Sequence, residues 1–245
     1  MQDHRYCYAN SNILKNKLNI RDRSDLFEAE KELTAIRLSE LEAHPIEGHF
    51  DFDHLKAIHK YIFQDLYEWA GEERTVEISK GNLFCTTACL QSYAEAVFRK
   101  YFPQCDAAKN DVDSFIHVLA ENYGDLNALH PFREGNGRAQ REFARLVCME
   151  CGYDFDLSVT THASMLEASK LSFEKGDSTG LVRIFSKAVT NLLDVSHKDC
   201  DGLKILTSDD LVIDISSDYC CSYNEPEDLD TYCKIYLAKI NGMDK

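Results

Sequence analysis

The sequence has little of what would place it in a specialised class of protein. No run of about eighteen apolar residues occurs, so we expect no membrane-spanning helix, and nothing suggests a lipid anchor. Its 11 glycines and 4 prolines are too few for a collagen-like or low-complexity chain of 245 residues. The start, from Met1 to Arg5, lacks a basic segment followed by an apolar run, so no Sec-type signal peptide is expected. These absences favour an ordinary globular protein of the cytosol.

Basic residues are also in short supply. The chain has 27 Lys and Arg against 42 Asp and Glu, which gives a formal net charge of −15. Binding a phosphate chain through counterion release requires a basic face, so we expect no nucleic-acid partner. A local group of arginines can still bind one nucleotide, because charges are screened beyond about 8 Å.

The cysteines and histidines do not form a metal-binding pattern. The ten cysteines are scattered through helical patterns, unlike those of a small disulfide framework, so we expect reduced thiols. Cys148 and Cys151 have zinc or redox spacing but no second pair, and we interpret them as packed thiols. His54 and His59 fall on different faces of a helix, which argues against a metal pair, and with His49 they are interpreted as surface or packed histidines.

The spacing of apolar residues predicts a mostly helical domain. Helical patterns cover about 24–43, 52–66, 88–101, 113–129, 135–151, 162–174 and 179–193. Pro103 is expected to end the third helix. Residues 74–85 favour short strands around Gly81 and Asn82, which predicts a hairpin flap.

The composition changes after Asp194. Residues 196–245 hold five lysines against eleven Asp and Glu, with short β-like segments between them. We therefore divide the chain near Val195 into a domain, 1–195, and an acidic C-terminal appendage, 196–245. The appendage could be a truncated second domain, a small β-subdomain or an interaction surface.

Residues 130–141, HPFREGNGRAQR, concentrate groups that bind phosphate. At residues 135–137 glycines permit a tight turn, and the first-turn amides and dipole of the following helix attract an anion. Arginines three residues apart project from one side of that helix and can bind further phosphate oxygens. The candidate phosphate ligands are Gly135, Asn136, Gly137, Arg138 and Arg141.

Two further side chains of this motif suit catalysis. A carboxylate at Glu134 would repel phosphate unless a divalent cation bridged them, and oxygen ligands with retained water describe Mg²⁺. His130 can accept a proton from a hydroxyl near neutral pH. Each feature alone is common in turns and helix ends, but together they predict an active site. The spacing matches neither a Walker loop nor a dinucleotide-binding loop.

The motif resembles the signature of the Fic domain family, His-Pro-Phe-x-Asp/Glu-Gly-Asn-Gly-Arg-x-x-Arg, at every fixed position. The resemblance extends over residues 8 to about 193 and includes segments 59–72 and 74–81. It implies an all-α fold, a Fic-type helical bundle with a small β-hairpin flap, followed here by the short appendage with β-like segments. It also implies a protein adenylyltransferase, which moves AMP from ATP to a Ser, Thr or Tyr hydroxyl of a target protein and releases pyrophosphate.

The resemblance also implies roles for the motif residues. His130 would be the catalytic base, Glu134 would hold Mg²⁺, residues 135–137 would form the anion hole, and Arg138 and Arg141 would hold the β- and γ-phosphates of ATP. The flap would pair with an extended target segment by strand addition. Its docking residues would be Ile78, Ser79, Lys80, Gly81, Asn82, Leu83 and Phe84.

Several alternatives stay open at this point. Related Doc-type proteins, which transfer phosphate, have a lysine in the anion-hole segment, so Gly137 argues against that activity. Transfer of UMP or phosphocholine is not separable by the motif, and a non-catalytic nucleotide-binding module is the alternative from another class.

Regulation is the last prediction from the sequence. Many relatives inhibit themselves through Ser/Thr-x-x-x-Glu-Gly/Asn. Ser24 and Glu28 have this spacing, but Ala29 follows them, so we interpret the segment as a helix start. We expect inhibition by a separate small antitoxin-like protein, or none. The chain would act as a toxin in its own cytoplasm or as an effector delivered to a host cytosol.

Overall fold

A computed structural model describes residues 3–80 and 82–192 of the chain. Within them the fold is mostly helical, as the sequence predicts. The α-helices are α1 (Arg23–Ala43), α2 (Phe52–Phe63), α3 (Leu90–Ala108), α4 (Val112–Leu129), α5 (Asn136–Glu150), α6 (His162–Lys175) and α7 (Thr179–Ala188). The predicted appendage, 196–245, lies outside the described residues.

Helix α4 lies at the centre of the bundle and leads directly into the motif. Its start is capped by Asp111, whose side chain accepts hydrogen bonds from the backbone amides of Asp113 and Ser114. It packs against α3, α5, α6 and α7, while α2 packs against α5. Its residues Phe115, Leu119 and Leu126 are fully buried. The end of α4 and the start of α5 therefore sit on a rigid core.

The flap is a short antiparallel hairpin of β1 (Ser79–Lys80) and β2 (Asn82–Leu83). A second two-stranded sheet, which the sequence did not predict, pairs β3 (Tyr153–Phe155) with β4 (Val189–Asn191). The prediction that the last helix runs to Leu193 is therefore wrong. The chain leaves the helix after Ala188 because Val189 is buried in extended conformation opposite Phe155.

The prediction that the third helix stops at Pro103 is also wrong, since α3 continues to Ala108. Proline removes one helical hydrogen bond, a local cost that burial on both sides of it can offset. Tyr101 and Cys105 are both fully buried in the core, and Phe102 stacks on Phe50 with ring centroids 4.3 Å apart. Tertiary packing thus carries the helix through the proline.

The described cysteines are buried and lie outside disulfide bonds, and burial raises the pKa of the Cys148 thiol well above its ordinary value. Among residues 3–80 and 82–192, no helix has the length and apolarity needed to cross a membrane.

Candidate active site

His130 is held at the end of α4 in a backbone conformation that few non-glycine residues adopt. Its φ of 43° and ψ of 60° place it in the left-handed region. Pro131 follows it, and a residue before proline avoids the right-handed helical conformation, so the helix ends at Leu129. The carbonyl of His130 accepts a hydrogen bond of 2.9 Å from Arg74 Nε. The strained residue is thus supported by the surrounding structure.

The imidazole of His130 has a defined orientation. Its Nδ1 lies 3.1 Å from the carbonyl oxygen of Asn127, a contact that requires the proton on Nδ1 and makes Nε2 the basic nitrogen. The ring of Phe84, in the flap, stacks on the imidazole with centroids 3.8 Å apart and planes 10° from parallel. The flap and the predicted base are therefore in direct contact.

The loop after His130 turns into α5 at Gly135. This residue is the N-cap of α5 with φ of 79°, and a Cβ there would lie 2.2 Å from Cζ of Phe63. Glycine is required both for the left-handed backbone and for close packing on Phe63. The backbone amides at the start of α5 have no intrahelical acceptor, which makes this end of the helix suited to an anion.

Side chains beneath the loop hold its shape. Asn136 accepts a hydrogen bond of 2.9 Å from the amide of Phe132 and donates one of 2.8 Å to the carbonyl of the same residue. Phe132 is fully buried and stacks on His59 at 3.8 Å. His59 accepts from the amide of Gly71 through Nδ1 and contacts the Glu134 carbonyl through Nε2 at 2.9 Å, which places its proton on Nε2. Burial lowers the pKa of His59 to about 3, so the ring is neutral.

Arg138, one of the predicted phosphate ligands, lies in the core. Its guanidinium forms an ion pair of 2.6 Å with Glu30 of α1, donates to the Thr34 hydroxyl at 3.3 Å and lies 4.5 Å from the ring centroid of Phe63. The Arg138 side chain is 1% exposed and that of Glu30 is 0% exposed. Tyr67 also donates a hydrogen bond to Glu30. In this conformation Arg138 fastens the start of α5 to α1.

Arg141 has the opposite environment. It is half-buried and lies at a small cleft with Thr160, His162 and Met165. A Cβ at Gly137 would lie 3.1 Å from Nη1 of Arg141, so the guanidinium lies beside the first turn of α5. Within the part of the chain that the structure describes, Arg141 forms no ion pair. Of the two motif arginines, this one is placed to meet an anion.

Glu134 lies beside the helix start and is 4% exposed. One carboxylate oxygen is 3.4 Å from the amide nitrogen of Gly135, and the other is 3.9 Å from Nη1 of Arg133, which is itself paired with Asp3. No group of three metal-binding side chains exists among residues 3–80 and 82–192. A single carboxylate fits a Mg²⁺ that keeps waters and is shared with phosphate oxygens, as Mg²⁺ commonly is.

The flap residues were predicted to dock the target, and the structure describes only part of them. Ile78, Ser79, Leu83 and Phe84 are buried against the domain. Gly81 lies outside the described residues. The flap and His130, the predicted base, are thus brought together, whereas the use of the flap in docking stays a prediction.

Sequence reasoning missed Glu30, Arg74 and His59. Glu30 carries the clearest signal, because it stands four residues from both Leu26 and Thr34 on the buried side of α1, where an acid requires a partner. The partner itself, 108 residues away, cannot be read from the local pattern.

An oriented histidine, a helix start suited to an anion and an adjacent arginine thus lie together on a helical domain, an arrangement that suits a phosphate-containing ligand. Comparison with known proteins agrees. A sequence model of the Fic/DOC family matches residues 49–148. The chain is 38% identical over 169 residues to "Protein adenylyltransferase VbhT" of Bartonella schoenbuchensis, an alignment that covers 69% of this chain and 35% of that protein. The chain thus spans only about a third of VbhT.

Two other comparisons cover nearly all of the related chain. The chain is 33% identical over 186 residues to "Probable protein adenylyltransferase Fic" of Escherichia coli K12, covering 76% of this chain and 92% of that protein. The crystal structure of the N-terminal Fic domain of a VirB-translocated Bep effector protein from Bartonella quintana, with bound ADP, matches with a TM-score of 0.71 at 27% identity. That match covers 79% of this chain and 98% of the other. The chain belongs to the Fic/DOC family.

Proposed function

We propose that this protein is a protein adenylyltransferase, which transfers AMP from ATP to a Ser, Thr or Tyr hydroxyl of a target protein. The observation that carries the proposal is the oriented imidazole of His130. The loop 131–135 connects this residue to the start of α5, where the backbone amides suit an anion. The relative at 38% identity is named "Protein adenylyltransferase VbhT", the one at 33% is named "Probable protein adenylyltransferase Fic", and a related domain has a crystal structure with bound ADP.

In the proposed reaction His130 is the general base. Because Nδ1 donates its proton to the Asn127 carbonyl, Nε2 accepts the proton of the target hydroxyl. The hydroxyl oxygen then bonds to the α-phosphorus of ATP, the bond from that phosphorus to the bridging oxygen breaks, and pyrophosphate leaves.

The phosphates of ATP would lie against the start of α5. The amides of residues 135–137 and the helix dipole suit negative oxygens, and the Arg141 guanidinium lies beside Gly137. We assign the main phosphate contact to Arg141. The prediction that Arg138 also holds a phosphate would require its guanidinium to leave Glu30.

Mg²⁺ is the metal that this arrangement suits, with Glu134 as its protein ligand. When bound, it would neutralise phosphate charge as the pyrophosphate leaves. Two contacts support this proposal: a carboxylate oxygen of Glu134 lies 3.4 Å from the amide nitrogen of Gly135, and His59 contacts the Glu134 carbonyl.

The target protein would dock on the flap, Ile78 to Phe84, by adding a strand to β1 or β2.

The partners of the two motif arginines, Arg138 and Arg141, bear on how the protein would be regulated. Glu30 of α1 pairs with Arg138, whereas Arg141 has no acidic partner within the described residues. We therefore propose that an inhibitor, if one exists, is a separate small antitoxin-like protein. The site of action would be the cytosol of the producing cell or of a host cell, the second being suggested by the Bep effector match.

The test is label transfer from ATP to protein. Label from α-³²P ATP should enter a protein band of a lysate, and label from γ-³²P ATP should not. The variant His130→Ala should lose the transfer, while His117→Ala, which changes an exposed histidine of the same helix, should retain it. Label entering from the γ position would reject adenylyl transfer in favour of phosphate transfer, the Doc-type activity against which Gly137 argues.

A further inference from the structure

We propose that Arg74 is a positioning residue for the adenylyl transfer, one that fixes the backbone of His130 and both ends of the flap as a single unit. The inference rests on the proposed function in so far as His130 is the base. Arg74 lies in the segment between α2 and β1, and its side chain is 0% exposed.

The guanidinium of Arg74 donates to backbone carbonyls of separate segments. Nε donates to His130 at 2.9 Å, Nη1 donates to Val76 at 2.9 Å, and Nη2 donates to Cys85. A carboxylate oxygen of Glu77 lies 3.5 Å from Nη1. A buried charge is tolerated when its polar atoms are hydrogen-bonded, and only a planar guanidinium offers five donors in a fixed arrangement.

The contact to His130 bears on the reaction. The backbone of His130 is left-handed, and the two successive peptide groups that follow its Cα are both tied to Arg74, since the Arg74 amide also donates to the Pro131 carbonyl at 2.8 Å. The direction in which the imidazole leaves the backbone depends on this conformation. Loss of the guanidinium contact would release the base from its support.

The contacts to Val76 and Cys85 bear on the flap, because Val76 stands two residues before the segment from Ile78 to Phe84 and Cys85 directly follows it. The amide of Cys85 donates to the Ala128 carbonyl at 3.1 Å, and Phe84 stacks on His130. One side chain therefore joins the predicted target-docking segment to the base. The carbonyl groups to which its guanidinium donates, those of His130, Val76 and Cys85, all lie outside the first turn of α5.

These contacts predict a separable effect. Replacing Arg74 should impair transfer and target recognition, while ATP binding at the start of α5 should be retained. A misplacement of about 1 Å at a reacting group can cost about a hundredfold in rate. We therefore expect kcat to fall about a hundredfold and the KM for the target to rise, with the Kd for ATP within about threefold of the original protein.

The experiment uses the full chain with two substitutions. Arg74→Lys keeps the positive charge but not the planar set of donors, and Arg74→Gln replaces the charge with a neutral amide. The control is Arg145→Lys, because Arg145 pairs with Glu142 and also donates to a backbone carbonyl, that of Leu41, away from the flap. Steady-state transfer gives kcat and KM, and calorimetry gives the Kd and the number of ATP sites per chain. Hydrogen exchange of the Phe84 and Cys85 amides reports on the flap without needing activity.

The proposal is supported if one Arg74 variant binds one ATP per chain with little change in Kd, loses kcat and exchanges faster at Phe84 and Cys85, while Arg145→Lys does none of this. It is overturned if kcat stays within about threefold, if ATP binding falls in parallel with kcat, or if neither variant binds ATP, since Arg74 would then serve folding alone. If the unsubstituted chain transfers nothing, the proposed function is rejected instead. In that case, hydrogen exchange at Phe84 and Cys85 still tests Arg74: unchanged exchange in the Arg74 variants would reject its link to the flap.

Discussion

The ion pair of Glu30 with Arg138 gives a prediction that separates two roles of the motif arginine. The variant Glu30→Gln removes one charge from a pair whose side chains are 0% and 1% exposed. Breaking such a pair leaves the other charge buried, at a cost of about 3 to 5 kcal/mol. Because whole domains are stable by about 5 to 15 kcal/mol, we expect a large loss.

The assay is urea unfolding followed by fluorescence, with the free energy of unfolding extrapolated to water. Glu32→Gln, at an exposed position of α1, is the matched control and should change the free energy by under about 0.5 kcal/mol. Replacing both members, Glu30→Leu with Arg138→Met, should recover much of the loss, because an apolar pair often substitutes for a buried ion pair.

The opposite outcome has a definite meaning. If Glu30→Gln costs under about 1 kcal/mol and also tightens ATP binding, Arg138 is a phosphate ligand, as the sequence predicts, that pairing with Glu30 withholds from ATP, and the anchoring role is refuted. If stability falls and the Kd for ATP of the folded fraction is unchanged, Arg138 anchors α5 to α1.

Two further predictions concern the loop beneath the phosphate site. Burial lowers the pKa of His59 from 6.5 to about 3, so between these pH values the imidazole is protonated in the unfolded chain and neutral in the folded chain. The free energy of unfolding should therefore fall as the pH decreases from about 6.5 toward 3, by at most about 1.4 kcal/mol per pH unit. His59→Gln should flatten that part of the stability curve in urea titrations at several pH values, and an unchanged slope would contradict the assignment. Gly135→Ala should lower the melting temperature and weaken ATP binding, because its Cβ would lie 2.2 Å from Phe63 in a left-handed backbone. Adding Phe63→Leu should restore part of the melting temperature, and a Gly135→Ala protein as stable as the original would show that the loop is not constrained in this way.

Local patterns were enough to predict most helices, the flap and the position of the motif. Helix α2 illustrates this, because its N-cap Asp51 and its buried apolar residues all lie within one short segment of the chain. Pro103 misled the prediction because the burial of Tyr101 and Cys105 outweighs a local preference. The strand at Val189 was missed because its partner is Phe155, far away in the chain.

The site was predictable only where the residues are contiguous. His130 to Arg141 form one segment, so their chemistry is visible in the sequence. The supports of that segment come from elsewhere: Glu30 from α1, His59 from α2 and Arg74 from the segment before the flap. No local rule shows that Arg138 points toward Glu30, and for that reason the two motif arginines were given the same role.

The central claim, that His130 and the start of α5 move AMP to a protein, is tested most directly by mass spectrometry of a lysate incubated with the protein, ATP and Mg²⁺. The account predicts a peptide that carries AMP on a Ser, Thr or Tyr, present with the original chain and absent with His130→Ala. A peptide that carries phosphate alone, or an AMP peptide that persists with His130→Ala, would contradict it.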